Sequence, residues 1–220
     1  MKREFLAEGL GTFLLLFIVV GSGISAQRLA LDPAVALFAH AIVVGAGLAV
    51  LIIVFGPISG AHFNPVVTVS LWQARIVGPA AVVPYIAAQL VGGAVGVVLA
   101  NISFGATAAS VSDTERISLG TGVSEVVVTF VLVLLILVLI KIERTSLVAP
   151  AVGAWVAAAI FGTSSTAFAN PAVSVTRTLT DTYTGIDPAS VPGFVAAQFI
   201  GAALAVGATA VLRPTREEIR

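Results

Sequence analysis

Cysteine is absent from the 220 residues, which excludes disulfides, thiolate metal sites and thiol nucleophiles. Charge is scarce: Asp, Glu, Lys and Arg make up 10% of the chain, against about 25% in a soluble domain. That is too little to cover a water-soluble globule. The 11 basic and 11 acidic residues cancel to a net charge of zero, so there is no basic face for nucleic acid. With two His and no Cys, nothing clusters as a metal or cofactor site. No nucleophile–base pair or phosphate loop suggests an enzyme. What fills the chain is apolar: 58% hydrophobic residues and a mean hydropathy of +1.09. The 21 glycines suit close helix packing in lipid, where small residues let backbones approach. The fold class implied is an all-α membrane protein.

Six segments reach the ~20 residues that a ~30 Å hydrocarbon core requires: 5–26, 34–57, 79–102, 121–141, 146–165 and 189–212. The first follows Met1-Lys2-Arg3, as a signal peptide would. Glu4 and Glu8 fall within or beside it and no clear small-residue cleavage site follows, so it reads as a span. Two further segments, 64–75 and 170–181, are amphipathic and span only about 18 Å as helices. Each opens with Asn-Pro, Asn as the cap and Pro at the first helical position. Lys2, Arg3, Arg75, Lys141, Arg144, Arg213, Arg216 and Arg220 fall on one side of such a six-span chain, and Arg28, Arg116 and Arg177 on the other. The positive-inside rule then makes both termini cytoplasmic, in the cell (inner) membrane.

The chain repeats itself. Glu8-x-x-x-Thr12-Phe13 matches Glu125-x-x-x-Thr129-Phe130, His62-Phe63-Asn64-Pro65-Val66-Val67 parallels Phe168-Ala169-Asn170-Pro171-Ala172-Val173, and Ala87-Ala88-Gln89-Leu90-Val91-Gly92 parallels Ala196-Ala197-Gln198-Phe199-Ile200-Gly201. One transmembrane domain, 1–220, therefore holds two repeats, about 1–105 and 112–220. Three spans per repeat invert the second copy, and inverted repeats with short helices point to a site at the bilayer midplane. Irregular backbone at 58–63 and 163–169 is tolerated there only where it lines a polar cavity. The expected pore places the two half-helices tip to tip. Asn64 and Asn170 offer amide donors there, and the positive helix ends repel cations.

The stretch Ser59-Gly60-Ala61-His62-Phe63-Asn64-Pro65-Val66-Val67-Thr68, with Asn170-Pro171-Ala172, resembles the paired signature loops of the aquaporin and aquaglyceroporin family. The likeness covers essentially the whole chain. It implies an aquaporin-like right-handed bundle of six transmembrane helices plus two half-membrane re-entrant helices, assembled as a homotetramer with one pore per subunit. The first motif reads Asn-Pro-Val, and Val66 adds two methyls where the half-helices abut. The family's selectivity filter carries over by ungapped spacing to Val44, Ala158, Ala167 and Val173. In the family's water pores an aromatic, a histidine and an arginine occupy such positions; here all four are apolar. The resemblance also implies that Glu8 and Glu125 accept hydrogen bonds from the signature-loop backbone, with Gln89 and Gln198 bracing the half-helices.

Arg177, one turn beyond Val173, and His40, one turn beyond Val44, are candidates for the outer vestibule. The plainer alternatives are an i, i+4 salt bridge from Arg177 to Asp181 and a buried His40 satisfied by a neighbouring carbonyl. The segment 170–194 resembles a bacterial aquaglyceroporin subgroup associated with arsenic resistance. The implied cargo is neutral: arsenite and methylated trivalent arsenicals, polyols such as glycerol, and water. A general glycerol and water facilitator stays open as an alternative, as does an ion-coupled secondary transporter, which would also use inverted repeats.

Overall fold

With no water to serve them in lipid, backbone N–H and C=O groups must be satisfied within the segment, and the apolar runs do this as helices. The computed structural model describes residues 2–212; Arg213, Arg216 and Arg220 of the charge count lie outside the described residues. The helices are α1 (Lys2–Leu29), α2 (Pro33–Ser59), α3 (Pro65–Gln73), α4 (Pro79–Ser103), α5 (Leu119–Lys141), α6 (Val148–Gly162), α7 (Pro171–Thr176) and α8 (Val191–Val211). Among the described residues there is no strand. Six segments of the described residues are long and apolar enough to cross a membrane; α3 and α7 are the short pair.

Helices α1, α2, α4 and α5 overrun the expected spans, with capped starts at α2 and α5, whereas α6 and α8 fall within theirs. Asp32 Oδ1 accepts from Ala34 N at 2.7 Å, and Ser118 and Thr121 form a capping box at the start of α5. The short pair end sooner than expected. Arg75 has a left-handed φ of 60° just beyond α3. At Arg177 α7 tightens into one 3-10 turn, Arg177–Leu179. Beyond it, Thr180 Oγ1 donates to Asn101 Oδ1 at 2.7 Å, which ties the chain to α4.

Close approach sets the bundle. A Cβ on Gly92 would lie 2.1 Å from the Gly9 carbonyl oxygen, and one on Gly201 2.3 Å from that of Val126. Gly9 and Val126 follow Glu8 and Glu125, so the α1–α4 and α5–α8 pairs meet at matched positions of the two repeats. Where α2 crosses α6 the contact is mutual: a Cβ on Gly45 would sit 2.4 Å from the Gly153 oxygen, and one on Gly153 2.5 Å from the Gly45 oxygen. That contact fixes which face α6 turns inward.

Candidate functional site

Each short helix is preceded by a loop of unusual backbone. Ala61 (φ 50°) and Phe63 (φ 49°) are left-handed in the first loop; Thr166 (56°), Ala167 (51°) and Ala169 (47°) are left-handed in the second. Such φ values are strained for residues with a Cβ, and hold only where the surroundings over-determine them. Two buried carboxylates do this. Glu8 accepts from His62 N at 2.9 Å, Phe63 N at 2.7 Å and Ser59 Oγ at 2.7 Å. Glu125 accepts from Phe168 N at 3.0 Å and Ala169 N at 2.8 Å. Both are fully buried, and each N–H···carboxylate bond is charge-assisted.

Gln89 Nε2 joins Glu8 (2.8 Å) to Thr68 Oγ1 (3.1 Å) at the first half-helix. Gln198 Nε2 joins Glu125 (2.6 Å) to Ser174 Oγ (2.9 Å) at the second.

Asn64 Oδ1 accepts from Val66 N at 3.0 Å, and Asn170 Oδ1 from Ala172 N at 2.9 Å, so both asparagines cap. Their amide nitrogens cross over: Asn64 Nδ2 donates to the Ala169 carbonyl and Asn170 Nδ2 to the Phe63 carbonyl, each at 2.8 Å. An amide has two N–H donors, so each asparagine keeps one beyond its crossing bond. Val66 and Ala172 are fully buried behind Pro65 and Pro171.

A cavity of about 660 Å³ runs from these asparagines toward the face bearing Thr145 and Ser146. Leu48, Ile52, Leu132, Ile136 and Val152 form its apolar wall, and residues 60–63 line it from the loop side. His62 is buried, with Nδ1 at 3.0 Å from Thr68 Oγ1.

On the other side of the asparagines, Val44, Ala167 and Val173 are buried in one apolar cluster. Val44 continues the α2 stripe of Leu48 and Ile52, and Val173 stands on the first turn of α7. Ala158 does not join them. It lies on the exposed face of α6 with Pro150 and Ala154, about 180° around the helix from cavity-lining Ala149 at 3.6 residues per turn. Ile160 and Val156 occupy the inward face and belong to the cluster. Counting back from Asn170 through an irregular loop does not conserve a helix face; the Gly45–Gly153 contact sets it instead. Ile160 is the last buried residue of α6 before the loop.

Further out, His40 is buried, its Nδ1 2.8 Å from Ser22 Oγ rather than a carbonyl, and its ring meets Tyr183 edge-on at 6.0 Å. Arg177 is buried, but its guanidinium lies on the Phe168 ring, Cζ 3.7 Å from the centroid, not on Asp181. Arg177 Nε donates to the Thr184 carbonyl. Asp181 instead accepts from Ser112 Oγ at 3.4 Å. Sequence reasoning missed Arg116, which donates to the Gly185 and Tyr183 carbonyls and sits 5.6 Å from the same Phe168 ring. Burial pushes the Arg116 pKa down, yet a guanidinium stays protonated.

A family model described as "Major intrinsic protein" matches residues 1–161. The chain is 41% identical to the aquaglyceroporin AqpS of Rhizobium meliloti (strain 1021) over 221 residues, covering all of this chain and 94% of that one. It is 36% identical to a glycerol uptake facilitator protein of Haemophilus influenzae over 92 residues, 42% of this chain and 34% of that one. In structure it is similar to the aquaglyceroporin from Plasmodium falciparum, with a TM-score of 0.73 over 96% of both chains. At 24% identity that likeness is one of fold.

Proposed function

The chain belongs to the major intrinsic protein family, and from that premise we propose that its pore carries neutral metalloid hydroxides and small polyols. The solutes meant are arsenous acid, its methylated trivalent forms and glycerol, with some water. As a family member it is an integral membrane protein and a passive channel for water and small neutral solutes, not an enzyme. Ion-coupled transport falls away with that membership.

The observation carrying the solute reading is the ring outside the asparagines, taken as Val44, Ile160, Ala167 and Val173, which has no side-chain donor. Such a ring gives a hydrated solute nothing in exchange for lost water, and penalises a methyl group little. Uncharged solutes with modest polar surface are favoured over water alone. The full-length likeness to an aquaglyceroporin supports the same direction. In this reading Asn64 and Asn170 present their remaining N–H groups at the midpoint, with Pro65, Val66, Pro171 and Ala172 setting the half-helix ends. The subunit assembles as a homotetramer in the inner membrane, with cytoplasmic termini on the Lys- and Arg-rich side.

Proteoliposomes test this by stopped-flow light scattering for glycerol and water, with arsenous acid uptake read by elemental mass spectrometry. Arsenous acid and glycerol should enter well above protein-free liposomes, unaffected by collapse of ion gradients. A general glycerol and water facilitator, the reading favoured by the Haemophilus influenzae relative, would pass glycerol and water but leave arsenous acid at background.

A further inference from the structure

Arg177 is a buried cation with no anion paired to it among the described residues: it is 4% exposed, and the i+4 carboxylate, Asp181, bonds elsewhere. A guanidinium removed from water needs its donors satisfied. Nε has the Thr184 carbonyl, and the flat face has Phe168. Among the described residues the two terminal nitrogens have no hydrogen-bond partner, yet they are not among the polar atoms sealed from solvent without a partner. They remain available.

Their place is fixed. The Arg177 backbone N–H donates to the Val173 carbonyl, which puts the residue one turn directly outward of the apolar ring. Across from it His40 stands one turn outward of Val44. The segment joining these two residues touches both: Tyr183 meets the His40 ring, and Thr184 receives Arg177.

We propose that Arg177 is the pore's donor station: its terminal N–H groups bind the oxygen of a neutral hydroxylated solute just outside the apolar ring, and Phe168 is the platform that holds it there. The proposal rests on the channel reading above. It divides selection into two steps along the pore. A hydroxyl exchanges water for a guanidinium at the outer station, and the partly desolvated solute then passes a constriction that offers no donor. The fixed charge, reinforced by Arg116 on the same aromatic ring, turns cations away before they reach the ring.

Two variants of the full-length reconstituted protein test it. Arg177→Met keeps a long stem against Phe168 without charge or donors; Arg177→Lys keeps the charge without the planar fork. Water permeability reports an intact pore. With that intact, Arg177→Met should lower the glycerol-to-water permeability ratio by about fivefold, the worth of one hydrogen bond, and open a sodium leak. Arg177→Lys should stay closed to sodium and not recover the ratio. If Arg177→Met does not reconstitute, Phe168→Leu removes the platform and should lower the same ratio. An unchanged ratio and no sodium leak in Arg177→Met, or an unchanged ratio in Phe168→Leu, overturns the station alone. Wild-type protein that passes neither glycerol nor arsenous acid overturns the solute reading, and the station with it.

Discussion

Asn64 and Asn170 hold each other's loops: each donates a side-chain N–H, at 2.8 Å, to the carbonyl of the residue preceding the other. Each also caps its own half-helix through Oδ1. The two half-helices are thereby locked tip to tip by side chains that serve cap and crossing at once.

Replacement of Asn64 by Asp separates those tasks. Asp still accepts from Val66 N but cannot donate to the Ala169 carbonyl, and its charge faces that oxygen. The lost bond and unpaired acceptor should cost about 1–3 kcal/mol, seen as a lower unfolding temperature in detergent. A negative charge where two positive helix ends meet should also admit cations, seen as sodium leak from proteoliposomes. An Asn64→Asp protein as stable and as cation-tight as the wild type would show that the reciprocal bonds matter little.

Much of this arrangement is legible without coordinates, because it rests on local chemistry. Asn-Pro is a helix start wherever it occurs, a Glu inside an apolar span needs donors, and matched blocks around Glu8 and Glu125 put those needs in corresponding places. What fails is inference carried through irregular backbone. Counting across 163–169, where three residues are left-handed, leads to Ala158, which stands on the outer face of α6. The Arg177–Asp181 pairing assumes a continuing helix, but α7 gives way to a 3-10 turn at Arg177, and an aromatic ring competes for the guanidinium. Nothing in the segment before α5 marks Arg116, whose partners are carbonyls about 70 residues away and follow no spacing rule.

Val173→Arg adds a donor and bulk to the ring itself. Val173 belongs to the same buried apolar cluster as Val44 and Ala167, and in the proposed pore a guanidinium at that position extends into the lumen. Glycerol permeability should fall by about tenfold or more while water persists, since the added bulk narrows the constriction and raises the barrier to the wider solute by about 1.4 kcal/mol or more. Stopped-flow rates for the two solutes check it. A solute profile equal to that of the wild type would remove Val173 from the filter.

Ile160 and Ala158, on opposite faces of α6, should respond oppositely to substitution. Ile160→Ala clears volume on the inward face, and should raise glycerol flux while lowering stability by about 2–5 kcal/mol if the space stays empty. Ala158→Leu adds bulk to a face already exposed beside Ala154, and should leave both flux and unfolding temperature near wild-type values. If Ala158→Leu closes the pore and Ile160→Ala does nothing, the inward face of α6 has been misidentified.

Glu125→Gln asks whether the strained loop depends on a charge behind it. The carboxylate accepts from Phe168 N, Ala169 N and Gln198 Nε2, three donors converging on two oxygens. An amide offers one oxygen, and its NH2 must face one of those donors. Removing a charged acceptor from buried donors costs about 1–3 kcal/mol or more, and the left-handed residues Ala167 and Ala169 lose the anchor that keeps them strained. Because Phe168 is also the seat of Arg177, release of the loop should loosen the outer station together with the Asn64 crossing bond to Ala169. The expected result is a lower unfolding temperature with reduced glycerol and water flux together, unlike the selective losses expected at Arg177 and Val173. Unfolding in detergent and stopped-flow scattering on one preparation separate a general loss from a selective one. Glu8→Gln should behave alike, because Glu8 collects four donors from the first loop and Gln89.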